Sequence, residues 1–234
     1  LFLPETSTCT MEEYPKTKSI RKVLGQEQKE CYQLESEKKV SLRDVFKLEY
    51  IPFMLMLYFL IFLGFNIYYT AFPIFAVDAL KWSPAALGIY FSFISALMAF
   101  VQGPILERLS KRYMESILIV AGGFMLAIQF ILIIPGDIYL IYLAAIFFAL
   151  GNGIMWPSIL SVLSKFAGTT YQGSVQGFAM SSSSFASIIG LLAGGLLYTQ
   201  IGSISFLIAA IIIFIVVLLS FRLIRIEKQK NQRT

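Results

Sequence analysis

Along most of this chain apolar residues do not alternate with polar ones; they come in long unbroken runs. Six such runs stand out, at 51–78, 84–106, 115–135, 138–164, 172–200 and 204–222. Each is close to or above the roughly 20 residues that a helix needs to cross the hydrocarbon of a bilayer. Strands of a membrane barrel would be about 10 residues long and would alternate in polarity, which these runs do not. A helix satisfies its own backbone groups in lipid, so the pattern predicts six transmembrane helices. The charged residues within the runs, Asp78, Glu115 and Arg222, sit at their ends. The breaks between later runs are short and rich in turn formers: "KWSP" at 81–84, "PGD" at 135–137, "AGTT" at 167–170 and "IGS" at 201–203. Connections this short make neighbouring spans antiparallel.

Composition agrees with the pattern. Only 14% of the 234 residues are charged and 57% are hydrophobic, whereas a soluble domain is about 25% charged. A compact soluble body of this size could not hide so much apolar surface, so the expected surroundings are a lipid bilayer. The net charge of +5 could suggest nucleic acid, but the placement of the basic residues argues against that partner. If six spans alternate, every Lys and Arg except Lys81 falls on one side of the membrane. An excess of Lys and Arg marks the cytoplasmic side. Both ends of the chain are therefore expected in the cytoplasm, with the plasma membrane as the location.

The domain reading follows from the runs. Residues 1–4 resemble the end of a preceding transmembrane helix, 5–50 a cytoplasmic linker, 51–224 a six-helix transmembrane bundle and 225–234 a cytoplasmic tail. Because the chain opens on Leu1 inside an apolar stretch, it reads as the later part of a longer protein. "SLRD" at 41–44 has the form of a capping box that opens a short helix. The rest of the linker reads as a flexible tether, with a docking segment as the alternative.

Several chemistries are disfavoured. The chain has no His, and its two cysteines, Cys9 and Cys31, both lie in the linker. Without His or a second cysteine pair no metal site is expected, and no cofactor. The two thiols are either free, which suits a reducing compartment, or paired. No G-x-x-x-x-G-K-[ST] phosphate loop occurs, and no acidic cluster lies inside a span, so enzyme activity is not expected.

Uncharged polar residues inside the spans carry more information, because such groups favour protein or water over lipid. Asn66, Tyr69, Thr70 and Pro73 share one face of the first span, and Ser92, Ser95 and Gln102 one face of the second. Asn152 and Trp156 lie one turn apart in the fourth, beside Gly151, Gly153 and Pro157, which can bend a helix. These faces are expected to turn toward a central cavity. Its candidate lining residues are Asn66, Tyr69, Phe72, Gln102, Asn152 and Trp156, each read either as an interhelical hydrogen bond or as a solute contact. Tyr68, Tyr69, Phe72 and Trp156 would suit an amphipathic or cationic solute through stacking and cation–π contact. In the fifth span Gly173, Gly177, Ser181, Ser184, Ser187, Gly190 and Gly194 recur every three or four positions. That stripe reads as a close-packed helix seam, with a water-lined path as the alternative.

One loop carries a family resemblance. "GPILERLSKR" at 103–112 is similar to the G-x-L-x-D-R-x-G-R-R loop signature of major facilitator superfamily transporters. Gly103, Glu107, Arg108, Lys111 and Arg112 fall at matching positions, while Ile105, Glu107 and Ser110 replace Leu, Asp and the second Gly. "KWSPAALGIYFS", "GNGIMWPSILSVLS" and "YQGSVQGFAMSSSSFASIIGLLAGGLLY" resemble the eighth, tenth and eleventh helices of that superfamily. The last resembles its drug and tetracycline proton-antiporter branch, although Leu191 stands where that branch often has Pro. The resemblance implies an all-α membrane protein whose six transmembrane helices form the C-terminal half of a twelve-helix fold. Its partner would be the N-terminal six-helix half of the same protein. It implies a secondary active transporter working by alternating access, which expels a small amphipathic or cationic solute such as a drug in exchange for protons. No carboxylate lies near the centre of any span, so a coupling group would belong to the N-terminal half. The signature would act as a cytoplasmic gating latch or, more simply, as a positive-inside anchor. A self-standing six-helix channel and the membrane domain of a nucleotide-driven exporter are the alternatives. A channel would show a polar re-entrant filter or a ring of charges, and neither is visible.

Overall fold

The computed structural model describes residues 42–231. Every regular element among them is helical. A short helix α1 (Leu42–Lys47) leads into α2 (Ile51–Asp78). Next come α3 (Pro84–Phe100), a π-helical turn at Val101–Ile105 that holds Gly103 and Pro104, α4 (Leu106–Arg112) and α5 (Glu115–Ile133). The helical stretch Ile138–Ile201 is two helices, α6 (Ile138–Gly168) and α7 (169–201), divided where Gly168 adopts φ 66 and ψ 174. A 3-10 turn at Gly202–Ile204 then leads into α8 (Ser205–Asn231). Five stretches are long and apolar enough to cross a membrane, and the last of them, Tyr171–Gln229, is α7 and α8 parted at Gly202. Six spans result, as the runs predict. The last helix continues to Asn231, so the tail expected from residue 225 is helical up to that point. The linker before residue 42, including Ser41 of the capping box, lies outside the described residues.

The breaks have local causes. Ser83 accepts a hydrogen bond from the Ala86 N–H at 3.2 Å, with Pro84 at the first helical position of α3; a proline there has no amide donor to leave unpaired. Asp137 caps α6 by accepting from the N–H groups of Tyr139 and Leu140 at 2.9 and 3.1 Å. Gly136 and Gly202, at φ 74 and 60, take the left-handed backbone that glycine adopts without strain.

Helices α2, α5, α6 and α8 form the packed centre, where Tyr68, Phe72, Phe130, Phe148 and Phe206 are fully buried or nearly so. Between lipid-facing helices there is no hydrophobic drive to associate, so close van der Waals packing holds the bundle together. Glycine permits that packing. A Cβ added at Gly122 would lie 2.6 Å from the Gly151 carbonyl oxygen, and one added at Gly151 would lie 2.7 Å from that of Gly122. Overpacking of this kind costs on the order of 1–3 kcal/mol. Helix α3 flanks this centre and buries only Tyr90 and Ile94.

Helix α7 packs on α2 through half of its small-residue stripe. Cβ atoms at Gly190 and Gly194 would come within 2.8 Å of Asn66 Cβ and 2.7 Å of the Ile67 oxygen respectively. At Gly173 and Gly177 a Cβ would meet nothing within 4 Å, so among the described residues the expected seam does not extend to these two positions. No neighbouring helix comes close enough there to need glycine.

Candidate functional site

The polar residues of the spans meet in a concavity of about 290 Å3 formed by α2, α3 with its π turn, α6 and α7. Asn66, Tyr69, Gln102, Asn152 and Trp156 all line it, although they come from three separate spans. Ser187 on α7 adds a fourth, and Ile61, Phe62, Phe65 and Met98 complete an otherwise apolar wall. Phe72 is the exception among the expected lining residues. It is fully buried and stacks on Tyr90 with ring centroids 4.8 Å apart. Its ring also meets those of Phe91 and Trp82 at 6.0 and 6.2 Å between centroids, so it is a packing residue.

The wall is held from within. Asn66 donates from Nδ2 to the Phe62 carbonyl at 2.7 Å and to Ser187 Oγ at 2.9 Å, tying α2 to α7. The Trp156 ring lies 4.7 Å from Phe62 and 5.9 Å from Tyr58, centroid to centroid. Tyr69 stacks on Phe91 with an interplanar angle of 8°. Asn152 is different. Among the described residues its Nδ2 reaches only the sulfur of Met98, at 3.2 Å, and its buried Oδ1 has no hydrogen-bond partner. A thioether is a weak acceptor. Leaving a buried amide group unsatisfied costs about 1–3 kcal/mol, which a ligand donor could recover. Ser92 and Ser95, expected on the same face as Gln102, turn their hydroxyls back to the Gly88 and Phe91 carbonyls of their own helix.

The Major Facilitator Superfamily profile matches residues 18–234. The chain belongs to the major facilitator superfamily. With the spans described above it is a membrane protein of several passes. It is similar to the class D tetracycline resistance protein of Salmonella ordonez, with 28% identity over 134 residues, 56% of this chain and 33% of that protein. In fold it is similar to the crystal structure of the human organic anion transporter MFSD10 (TETRAN). That match has a TM-score of 0.66 and 21% identity over 73% of this chain and 40% of the other. The chain thus spans well under half the length of these relatives.

Two charged groups lie at the basic end of this major facilitator bundle. The loop-signature residues stand on and beside α4. Glu107 and Lys111 pair with each other at 2.6 Å along one helix face, Arg112 lies 5.7 Å from the ring centre of its neighbour Tyr113, and Gly103 has open space around it. All five signature residues are exposed. Among the described residues none is joined to another span by an ion pair.

The second group was not legible in the sequence as a site. Glu115, at the first turn of α5, pairs with Lys165 at the end of α6 and accepts from Ser161 Oγ at 3.3 Å. Glu227, near the end of α8 and only 4% exposed, accepts the backbone N–H of Ser116 at 3.0 Å. The residue before α5, Met114, offers no capping side chain, so a carboxylate 111 positions away in sequence caps that helix. Gln129 was also missed: it is fully buried in α5, and neither atom of its amide has a partner. Only its uncharged polarity inside an apolar run could have singled it out.

Proposed function

We propose that this chain supplies one wall of the solute pathway in a secondary active transporter, and that the concavity around Asn152 and Trp156 is part of the solute site. The carrying observation is the Asn152 amide, which lies buried in the cavity wall with no strong hydrogen-bond partner. The aromatic faces of Trp156, Phe62 and Tyr69 beside it suit a small amphipathic or cationic solute of the drug type. The similarity to a tetracycline resistance protein supports a drug-type solute, and efflux by proton antiport is the part of this proposal that rests on the family resemblance alone. No carboxylate is among the lining residues, so the proton-coupling group belongs to a facing N-terminal six-helix half of the same protein, the two halves enclosing a site near the midplane. The basic end of the bundle faces the cytoplasm across the plasma membrane. The exposed signature of Gly103, Glu107, Arg108, Lys111 and Arg112 is then free to latch onto that other half and to let go as the halves rock.

The test is tetracycline transport into inverted membrane vesicles that carry the full-length protein. Asn152→Ala and Trp156→Ala each remove one neutral contact worth on the order of 1 kcal/mol, so the apparent KM should rise several-fold at unchanged membrane abundance. Wild-type KM in both variants would remove the concavity from the pathway. Tetracycline flux through vesicles that hold only the 234-residue chain would favour a six-helix channel instead.

A further inference from the structure

A second concavity, of about 520 Å3, opens where the end of α8 meets the start of α2. Arg222, Arg225 and Gln229 give it a polar rim, and Leu218 and Phe221 give it an apolar wall beside Tyr50. Leu218 and Phe221 are 54% and 52% exposed. They are the last apolar residues of α8 on this face before its charges begin, so the pocket sits where the helix leaves the hydrocarbon.

The two arginines have unmet charge. Arg222 rests over the ring of Phe53, 5.5 Å from its centre, and among the described residues neither arginine takes part in an ion pair. Three carboxylates at this end are committed elsewhere, Glu107 to Lys111, Glu115 to Lys165, and Glu227 to the Ser116 amide on the opposite side of α8, and exposed Glu49, next to Tyr50, forms no ion pair with either arginine among the described residues. A guanidinium presents a planar fork of donors that matches phosphate oxygens. Two such forks at the interface, next to exposed apolar side chains that continue into the membrane, match an anionic head joined to an acyl chain. We propose that this pocket binds an anionic phospholipid, the phosphate held by Arg222 and Arg225 and the upper acyl chain lying along Leu218 and Phe221. An inorganic phosphate would use the arginines alone and leave the apolar wall unused.

The experiment is native mass spectrometry of the purified full-length protein in detergent, titrated with dioleoylphosphatidylglycerol or dioleoylphosphatidylcholine. A basic residue near an anionic lipid surface contributes enough for about a fivefold preference, so with two arginines the wild type should retain phosphatidylglycerol about 25-fold more than phosphatidylcholine. Arg222→Gln/Arg225→Gln should bring that ratio close to one. Arg225→Gln alone changes only an exposed side chain and should lower the ratio several-fold, which keeps the test valid should the double variant fail to fold. Lys111→Gln, at the same end but outside the pocket, should leave the ratio unchanged. An undiminished preference in Arg225→Gln, or an equal loss in Lys111→Gln, would overturn the proposal. So would displacement of the lipid by millimolar inorganic phosphate, since a pocket for free phosphate has no use for the acyl chain. The readout is lipid retention and does not depend on which solute is carried.

Discussion

Glu107 and Glu115 stand eight positions apart in one sequence, yet their circumstances differ completely. Glu107 pairs with Lys111 one turn along its own helix, and both side chains are about 70% exposed (67% and 73%). Such a pair competes with water at high dielectric and adds little to stability. Glu115, 17% exposed at its side chain, joins α5 to α6 through Lys165, and Glu227 beside it brings in α8 through the Ser116 amide. Among the described residues the first group holds nothing else; the second fastens three helices at one end. Conspicuous charge in a loop therefore marks a surface available to something outside the bundle. The charges that hold the bundle together are dispersed along the sequence.

This contrast can be broken by substitution. The largest effect belongs to Glu227→Ala, which strips the buried Ser116 N–H of its acceptor and should lower stability by about 1–3 kcal/mol. Glu227→Gln keeps an oxygen in place and should cost clearly less, so thermal unfolding in detergent should rank wild type, then Gln, then Ala. Equal melting of the Ala variant and wild type would show that the clasp holds nothing. The smallest effect belongs to Glu107→Gln, which should change stability by no more than about 0.5 kcal/mol. If the full-length protein transports as proposed, its turnover should nonetheless slow, with KM little altered, because Glu107 lies apart from the concavity. A stability loss as large as that of Glu227→Ala would erase the distinction between the two groups.

What could be read from the sequence follows the same division between local and distant. The six spans were legible because apolar run length is a local property, and most breaks carry their own turn former or cap, such as Ser83, Asp137 and Gly202. Five of the six expected lining residues meet at one concavity because uncharged polar groups in a span have few places to go. Phe72 failed because an aromatic side chain serves core and cavity alike, and its partner Tyr90 is on another helix. The glycine stripe was half legible: spacing shows which residues share a face, while only a neighbouring helix decides whether that face is packed. Among the described residues Gly190 and Gly194 have that neighbour, and Gly173 and Gly177 do not. The Glu115–Lys165 and Glu227–Ser116 contacts could not be read, since nothing in a chain of spans says which ends meet.

The central claim is that the concavity lines a watered solute path and not another lipid-facing surface. Reaction of a membrane-impermeant sulfonated thiol reagent tests it most directly, in the full-length protein with Cys9 and Cys31 replaced by Ser. Ser187→Cys places a thiol of nearly the same size in the wall of the concavity, and Phe214→Cys places one on α8, at a residue 47% exposed and away from the concavity. Only the thiolate reacts, and a thiol in hydrocarbon neither ionises nor meets the reagent, so Ser187→Cys should be modified at least about tenfold faster. Equal rates at the two positions would contradict the account.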